Sequence, residues 1–158
     1  MTMLPFTMQQ QTKSNWCWAA VASSVADFYG NAGGWTQCTV ADAHLGRGDC
    51  CGSPAGDPCN VPSVLDAPLS IVGRFSQMFG FAVSSADVVT EIADSRPVCL
   101  RVQWTDGSGH FLTVTGYAEE APVTFVDDPI YGPAAYLDSA LRTAYQGSGT
   151  WTHSYYTV

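Results

Sequence analysis

The spacing of apolar and polar residues divides the chain into a helical half followed by a strand-rich half. Apolar residues recur at helical spacing over 15–29, and Gly30 is a natural stop for this first helix. Further helices are predicted over 39–45, with Thr39 as cap, over 63–79 as one or two helices, over 85–93 and over 136–145. Strands are predicted over 98–104, 110–117, 123–127 and 150–157.

The first predicted helix begins at a cysteine within the stretch QTKSNWCWAA. A thiol in the first helical turn feels the positive end of the helix dipole and lies beside unpaired N–H groups, and both favour the reactive thiolate. Gln11, six residues upstream of Cys17, can offer a side-chain amide to an oxyanion that forms beside the sulfur. A single cysteine is more often a packing or disulfide residue. Gln11, the helix start and the flanking Trp16 and Trp18 together favour a nucleophile.

A base for this thiol is predicted far downstream, in the stretch GSGHFLTVTGY. His110 stands where a glycine-rich turn opens onto a strand, so its ring can meet a thiol from another element. The next predicted strand ends in Asp127 and Asp128, and a hairpin returns this acidic pair to the neighbourhood of His110. One of the two carboxylates can then accept the second imidazole N–H, although strand alternation directs only one of them inward.

Taken together, these motifs resemble the papain-fold cysteine peptidases, in particular the bacterial C39-like and AvrRpt2-related families. The resemblance extends from about residue 9 to the end of the chain. It implies an α+β papain-like fold, with the cysteine on the helical half and the histidine and aspartate on an antiparallel sheet. It also implies that Cys17 is the nucleophile, His110 the base and Gln11 the oxyanion glutamine. Asp128 matches the third member of the triad, and Asp127 is expected to be solvated or to hold a turn.

Composition and charge favour one domain over residues 1–158 and limit its partners. Hydrophobic residues make up 46% of the chain, which argues against disorder, although residues 1–8 are expected to be flexible. Six Lys and Arg face fourteen Asp and Glu, a formal charge of −8, which disfavours nucleic acid and anionic membranes as partners. No apolar run approaches the roughly 20 residues that span a bilayer.

Four of the six cysteines cluster within residues 38–59, a segment with few apolar residues. A loop stapled by two disulfides among Cys38, Cys50, Cys51 and Cys59 is predicted, in which the adjacent pair do not bond each other. The alternative is a zinc site, which the lack of a Cys-x2-Cys pair disfavours. Disulfides imply export, although no signal peptide is recognisable at the N-terminus. Cys99 is predicted to be a buried packing thiol.

The function predicted from these features is that of a secreted bacterial cysteine peptidase, a monomer that needs no cofactor or metal. It would cleave a peptide or protein substrate through an acyl-enzyme, with Trp16, Trp18 and Gly109 contacting that substrate. The same residues could instead serve a transpeptidase, isopeptidase or amidase. A catalytically silent, disulfide-stapled binding module is the alternative from another class. The presence of all four expected site residues favours an enzyme.

Overall fold

The computed structural model describes residues 1–158 and has an α+β fold with five helices and one antiparallel sheet. The helices are α1 (Cys17–Phe28), α2 (Gln37–Leu45), α3 (Asp66–Ile71), α4 (Ser85–Ala93) and α5 (Asp138–Thr143), with a 3₁₀ turn at Cys50–Gly52. The strands are β1 (Thr2–Met3), β2 (Phe75–Phe79), β3 (Val98–Gln103), β4 (Gly109–Ala118), β5 (Val123–Asp127), β6 (Ala134–Leu137) and β7 (Thr150–Thr157). The longest helix has 12 residues, and none of the five has the length and apolar character needed to cross a membrane.

The order of strands in the sheet is β2-β7-β3-β4-β5-β6, with β1 pairing separately with β4. The central strand β3 pairs over its whole length with residues 109–114 of β4, and β4 and β5 form the hairpin expected from the sequence. Within this hairpin Thr113 pairs with Asp127, so the residue after Asp127 lies close to the beginning of β4. The register therefore brings the acidic pair towards His110.

Most of the elements predicted from periodicity and capping residues are confirmed. The four predicted strands correspond to β3, β4, β5 and β7, and the predicted helix over 85–93 is α4, capped by Ser84. The second helix begins at Gln37 rather than at Thr39, because Thr36 is its N-cap and Thr39 completes a reciprocal capping box. It ends as expected at Gly46, which adopts the left-handed conformation.

Two segments differ from the predicted helices. Within 63–79 only α3 is helical, and 75–79 forms the edge strand β2, whose middle side chains are exposed. The segment 136–145 is divided between the end of β6 and the short helix α5. Both β2 and β6 lie at the edges of the sheet, where no regular alternation of apolar residues is required because one neighbour is missing.

The N-terminal residues are held against the sheet, which corrects the expectation that residues 1–8 are flexible. Thr2–Met3 pairs with β4, and the Leu4 N–H donates to the Thr115 carbonyl at 2.8 Å. The side chains of Leu4 and Phe6 are buried in the core. The close approach of this segment needs a glycine at position 116, since a Cβ there would lie 2.7 Å from the Thr2 carbonyl oxygen. Burial and strand pairing offset the entropy lost by ordering the segment.

The cysteine cluster forms two disulfides, Cys38–Cys51 and Cys50–Cys59. This result confirms the predicted pairing of four cysteines in two bridges. Asp49 lies beside Cys50 and Cys59, but sulfurs that bond each other cannot serve as thiolate ligands of a metal. The remaining cysteines are free thiols, Cys17 half-buried and Cys99 buried in β3 as expected.

Candidate active site

Cys17 is the first residue of α1, and its side chain lines a groove of about 450 Å³ between the helical half and the sheet. The helical wall of the groove also contains Ser14, Asn15, Pro62 and Ser63. No side chain caps the beginning of α1, and the N–H groups of a first helical turn have no intrahelical acceptor. A polar group of a ligand in the groove can therefore bond to the N–H of Cys17.

The His110 ring lies on the sheet side of the same groove, at the second residue of β4. Its Nε2 atom is 2.9 Å from both carboxylate oxygens of Asp128. Cys17 lines the same groove, and its interaction with the ring is one of the contributions that raise the pKa of His110. Because Nε2 is hydrogen-bonded to Asp128, Nδ1 is the ring nitrogen that can exchange a proton with the Cys17 thiol. The indole of Trp104 stacks on the imidazole with ring centroids 5.9 Å apart, which limits rotation of the ring.

The charged forms of His110 and Asp128 stabilise each other. Burial by itself lowers the pKa of His110, but the hydrogen bond to Asp128 and the interaction with Cys17 outweigh this effect and raise it to about 9. Burial by itself raises the pKa of Asp128, yet its hydrogen bonds, led by the one with His110, hold that pKa below its usual range. At neutral pH the site therefore contains an imidazolium between a carboxylate and the cysteine sulfur, the arrangement that stabilises a thiolate.

Asp128 is fixed by four donors in the protein interior. Besides the His110 ring, it accepts the backbone N–H groups of Ile130 at 2.7 Å and Tyr131 at 3.0 Å. The hydroxyl of Tyr145 donates to it at 2.5 Å. The Asp128 side chain has no exposed surface. Such a carboxylate can be neither reoriented nor protonated without loss of several hydrogen bonds, so it holds the ring in one orientation.

Asp127 has a different position from its neighbour. Its two carboxylate oxygens accept the backbone N–H groups of Met8 at 2.9 Å and of Asp128 at 3.0 Å. The side chain is buried, so the solvated alternative considered for Asp127 is wrong. Burial raises the pKa of this carboxyl group. Asp127 thus fastens the N-terminal segment to the end of β5 and does not contact the imidazole.

The side chain of Gln11 is hydrogen-bonded to the loop that leads into α1. Its side-chain N–H groups donate to the carbonyls of Lys13 at 3.0 Å and Ser14 at 2.8 Å, and its own carbonyl oxygen is buried without a partner. Its backbone N–H donates to the Pro129 carbonyl at 2.9 Å. In this geometry Gln11 fixes the loop before Cys17 and is not among the residues that line the groove.

Two of the three expected substrate contacts are not in the groove. Trp16 and Trp18 are buried in the core, which corrects the prediction that they bind substrate. Their indole N–H groups donate to the carbonyls of Cys59 at 2.7 Å and Val61 at 2.9 Å. Large apolar rings at the start of α1 thus join this helix to the disulfide-bonded loop. Gly109, by contrast, is exposed and lines the groove beside His110 as expected.

Tyr145 is a site residue that sequence reasoning did not find. It follows α5 and is fully buried, with its hydroxyl on Asp128. Burial and the neighbouring Asp128 charge raise the pKa of Tyr145 far above its usual value, so the phenol remains a donor. The residues around it, RTAYQGSG, form no recognisable motif, and only the path of the chain after β6 brings it to the site.

Comparisons with known proteins agree with the α+β fold described above. The model of the Peptidase C39-like family matches residues 3–156. A double-glycine-motif protease from an AMS/PCAT transporter, solved in complex with the leader peptide, is 16% identical with a TM-score of 0.57, covering 99% of this chain and 94% of that one. The Pseudomonas avirulence protein AvrPphB is 13% identical with a TM-score of 0.44, covering 97% of each chain. No curated protein sequence matches significantly. The family match and the first structure together support a papain-like cysteine peptidase fold.

Proposed function

The chain belongs to the Peptidase C39-like family and is a cysteine peptidase, and from this premise we propose that Cys17, His110 and Asp128 are its catalytic triad. The observation that carries the proposal is the position of the His110 ring. It has Asp128 at 2.9 Å on one nitrogen and borders the open groove that Cys17 also lines. The elevated pKa of this ring favours an ion pair with the thiolate at neutral pH.

In the proposed reaction the Cys17 thiolate attacks the scissile carbonyl carbon, and the carbonyl oxygen becomes an oxyanion. The N–H of Cys17 at the start of α1 donates to this oxyanion, and the helix dipole adds to its stabilisation. Gln11 holds the loop before Cys17 during this step, because its amide N–H groups donate to the Lys13 and Ser14 carbonyls. The His110 imidazolium then protonates the leaving amine as the C–N bond breaks, and the acyl-enzyme forms.

The second half of the reaction uses the same residues. The neutral His110 ring takes a proton from water, the resulting hydroxide attacks the thioester, and the thiolate leaves as the acid product forms. Asp128 keeps Nε2 hydrogen-bonded throughout and stabilises the imidazolium without itself moving a proton. No step requires a group from outside the chain other than water.

A peptide in extended conformation is the proposed substrate. The groove is open to solvent and lies between the two halves of the fold, where a backbone can pass both Cys17 and His110. The similar double-glycine-motif protease was solved with a leader peptide, which supports this class of ligand. Two disulfides suit an oxidising environment, and we place the enzyme outside the cytoplasm on that ground.

The test is cleavage of a diverse peptide panel, followed by mass spectrometry, with Cys17→Ala as the inactive control. Fast alkylation of Cys17 alone by iodoacetamide, with Cys99 unmodified, is expected near neutral pH because Cys99 is buried. Products that gain the mass of water indicate hydrolysis, whereas products that gain an added amine indicate acyl transfer. Slow labelling of Cys17 together with no cleaved peptide would contradict the proposal and favour a silent binding module.

A further inference from the structure

One basic side chain of the groove has no acidic partner. The chain has six Lys and Arg, and four of them form ion pairs: Lys13–Asp57, Arg47–Asp49, Arg96–Glu91 and Arg142–Asp138. Arg74 stacks on a tyrosine ring and donates to a backbone carbonyl near the end of the chain. Arg101 lines the groove and contacts only neutral oxygens, those of Thr152 at 3.0 Å and Gln103 at 3.4 Å.

The guanidinium of Arg101 lies against Gly109, another residue of the groove. A Cβ on Gly109 would be 2.5 to 2.7 Å from the Nε, Nη2 and Cζ atoms of Arg101, so the guanidinium fills the space that a side chain at position 109 would take. Gly109 does not have a positive φ, so its role is to allow this close approach and not an unusual backbone conformation. Arg101 also lines the groove that contains Cys17 and His110, so its charge is available to a ligand bound there.

The carboxylates closest in sequence to the groove residues already have hydrogen-bond donors within the protein. Asp106, in the loop between β3 and β4, accepts the backbone N–H and the hydroxyl of Ser108. Asp128 is enclosed by its own donors. Arg74 and Arg101 are the two basic residues without a carboxylate within ion-pair distance, and of these two only Arg101 lines the groove. The groove therefore retains one unneutralised positive charge.

From this placement we propose that Arg101 binds a carboxylate group of the peptide substrate and sets the specificity of cleavage. The proposal rests on the proposed peptidase function. The carboxylate belongs either to an Asp or Glu side chain near the scissile bond or to a free C-terminus close to it. The planar fork of a guanidinium suits a carboxylate in both cases, because two parallel N–H groups can bond its two oxygens. An amide or hydroxyl in the same place would make weaker hydrogen bonds.

Matched peptides test the proposal and separate the two sources. One pair of peptides differs only by Glu or Gln at a position near the cleaved bond, and a second pair differs only by a free or amidated C-terminus. The peptides are otherwise neutral or basic, so that the overall charge of −8 does not repel them. For wild type we expect kcat/KM to favour the carboxylate member of one pair on the order of tenfold. The pair that shows the preference identifies the source.

The variant Arg101→Gln should lose this preference, whereas Arg101→Lys should retain part of it. Arg47→Gln is the matched control, because Arg47 pairs with Asp49 and is not among the groove residues. Equal rates for both members of each pair in wild type, or a preference unchanged in Arg101→Gln, would overturn the proposal. Melting temperatures of the three variants confirm that each is folded.

A second measurement does not depend on turnover. Iodoacetate is an anion and iodoacetamide is neutral, and both alkylate the Cys17 thiolate. A cation in the groove attracts iodoacetate but not iodoacetamide. The ratio of the iodoacetate rate to the iodoacetamide rate should therefore fall several-fold in Arg101→Gln and stay constant in Arg47→Gln. An unchanged ratio contradicts an anion site at Arg101. If wild type cleaves no peptide at all, the proposed function fails, and the alkylation ratio still decides whether Arg101 attracts anions to the groove.

Discussion

The two walls of the groove are held in place by different kinds of interaction. On the helical wall, Cys17 begins a helix whose neighbouring indoles bond the carbonyls of a loop closed by two disulfides. On the sheet wall, His110 is oriented by a buried carboxylate that receives four donors from the polypeptide. One wall is stabilised by covalent links, and the other by buried polar contacts.

This difference predicts different sensitivities for the two walls. Disulfides act mainly by restricting the unfolded chain, so their loss lowers stability and leaves native positions largely unchanged. Buried hydrogen bonds to charged groups set both orientation and protonation, so their loss changes the chemistry directly. The helical wall should respond most to reduction, and the sheet wall most to substitution and pH. The nucleophile itself is the exception, since it belongs to the helical wall and performs the chemistry.

The largest effect is expected for Cys17→Ala, which should abolish peptide cleavage with the fold intact, because Cys17 is the only thiol that lines the groove. Cys99→Ala is the matched control on the sheet side. Cys99 is buried in β3, and burial raises the pKa of its thiol to about 12, so it is not a nucleophile near neutral pH. Peptide hydrolysis is followed by mass spectrometry, and undiminished cleavage by Cys17→Ala would end the triad assignment.

The next largest effect separates the two adjacent aspartates. Asp128→Asn should lower kcat/KM by about 10²-fold or more, because the imidazolium loses the carboxylate that orients and stabilises it. Asp127→Asn should alter the rate much less and instead lower stability, since Asp127 holds the Met8 backbone. Rates and urea unfolding of both variants check this pair. A larger loss of rate in Asp127→Asn would place the orienting carboxylate one residue earlier.

The pH dependence reports on the sheet wall alone. Although burial lowers the pKa of His110, its hydrogen bonds raise it to about 9 from an ordinary 6.5. The stabilisation due to its protonation is therefore complete below about 6.5 and is lost as the pH rises through 9. Activity should fall about tenfold per pH unit above 9 as the imidazolium is lost. In Asp128→Asn this alkaline limb of kcat/KM should move to lower pH, and an unmoved limb would contradict the coupling.

For Asp128 the sign is opposite. Its pKa lies below its usual value, so the stabilisation due to its ionisation is present above about pH 4 and is lost as the pH falls through the lowered pKa. The unfolding free energy of wild type should therefore fall more steeply below about pH 4 than that of Asp128→Asn, measured by urea unfolding. Asp127 contributes with the opposite sign, because burial raises its pKa and its protonation favours the folded state.

A smaller effect is expected for Tyr145→Phe, which removes one of the four donors to Asp128. The unfolding free energy should fall by about 1–3 kcal/mol, the range for hydrogen bonds to charged groups, and kcat/KM should fall by a few-fold. Tyr136→Phe is the matched control, because the Tyr136 ring packs against Tyr145 but its hydroxyl makes no hydrogen bond in the protein. Equal losses in the two variants would show that packing, and not the bond to Asp128, explains the effect.

The smallest effect on rate is expected from reduction of the two disulfides. Each bridge contributes about 2–4 kcal/mol by restricting the unfolded chain, so reduction should lower the melting temperature. At temperatures well below melting, kcat/KM should change little, because the active-site side chains make no bond to the sulfurs. The mass of the unreduced protein should be four hydrogens below that of the all-thiol formula. Loss of activity without unfolding would show that the loop positions Cys17 through the indoles of Trp16 and Trp18.

The sequence was sufficient for the parts of the site that local chemistry defines. Cys17 was predicted from a helix start, and His110 from a glycine-rich turn before a strand, because capping and alternation act over a few residues. The hairpin between β4 and β5 has a short connection, so the return of Asp128 to the His110 ring followed from chain geometry. The pairing of the cysteines in two bridges followed from a segment too poor in apolar residues to fold by itself.

The features that were missed depend on long-range placement. Tyr145 and Arg101 reach the site only through the path of the sheet, and no local pattern distinguishes them from other aromatic and basic residues. Trp16 and Trp18 were wrongly expected in the groove. A sequence does not show whether the indoles at the end of a helix face a groove or a distant backbone carbonyl. The edge strand β2 was predicted as helix since its exposed side chains follow no alternation.

The position of β7 has a consequence for the timing of biosynthesis. This strand is the last in chain order, yet it lies inside the sheet, between β2 and β3. A ribosome delivers the cysteine helix first and β7 after every other element, so β3 has no partner on one side until β7 has emerged. Long-range pairing of this kind forms late. The sheet that holds His110 is therefore complete only after β7 has emerged.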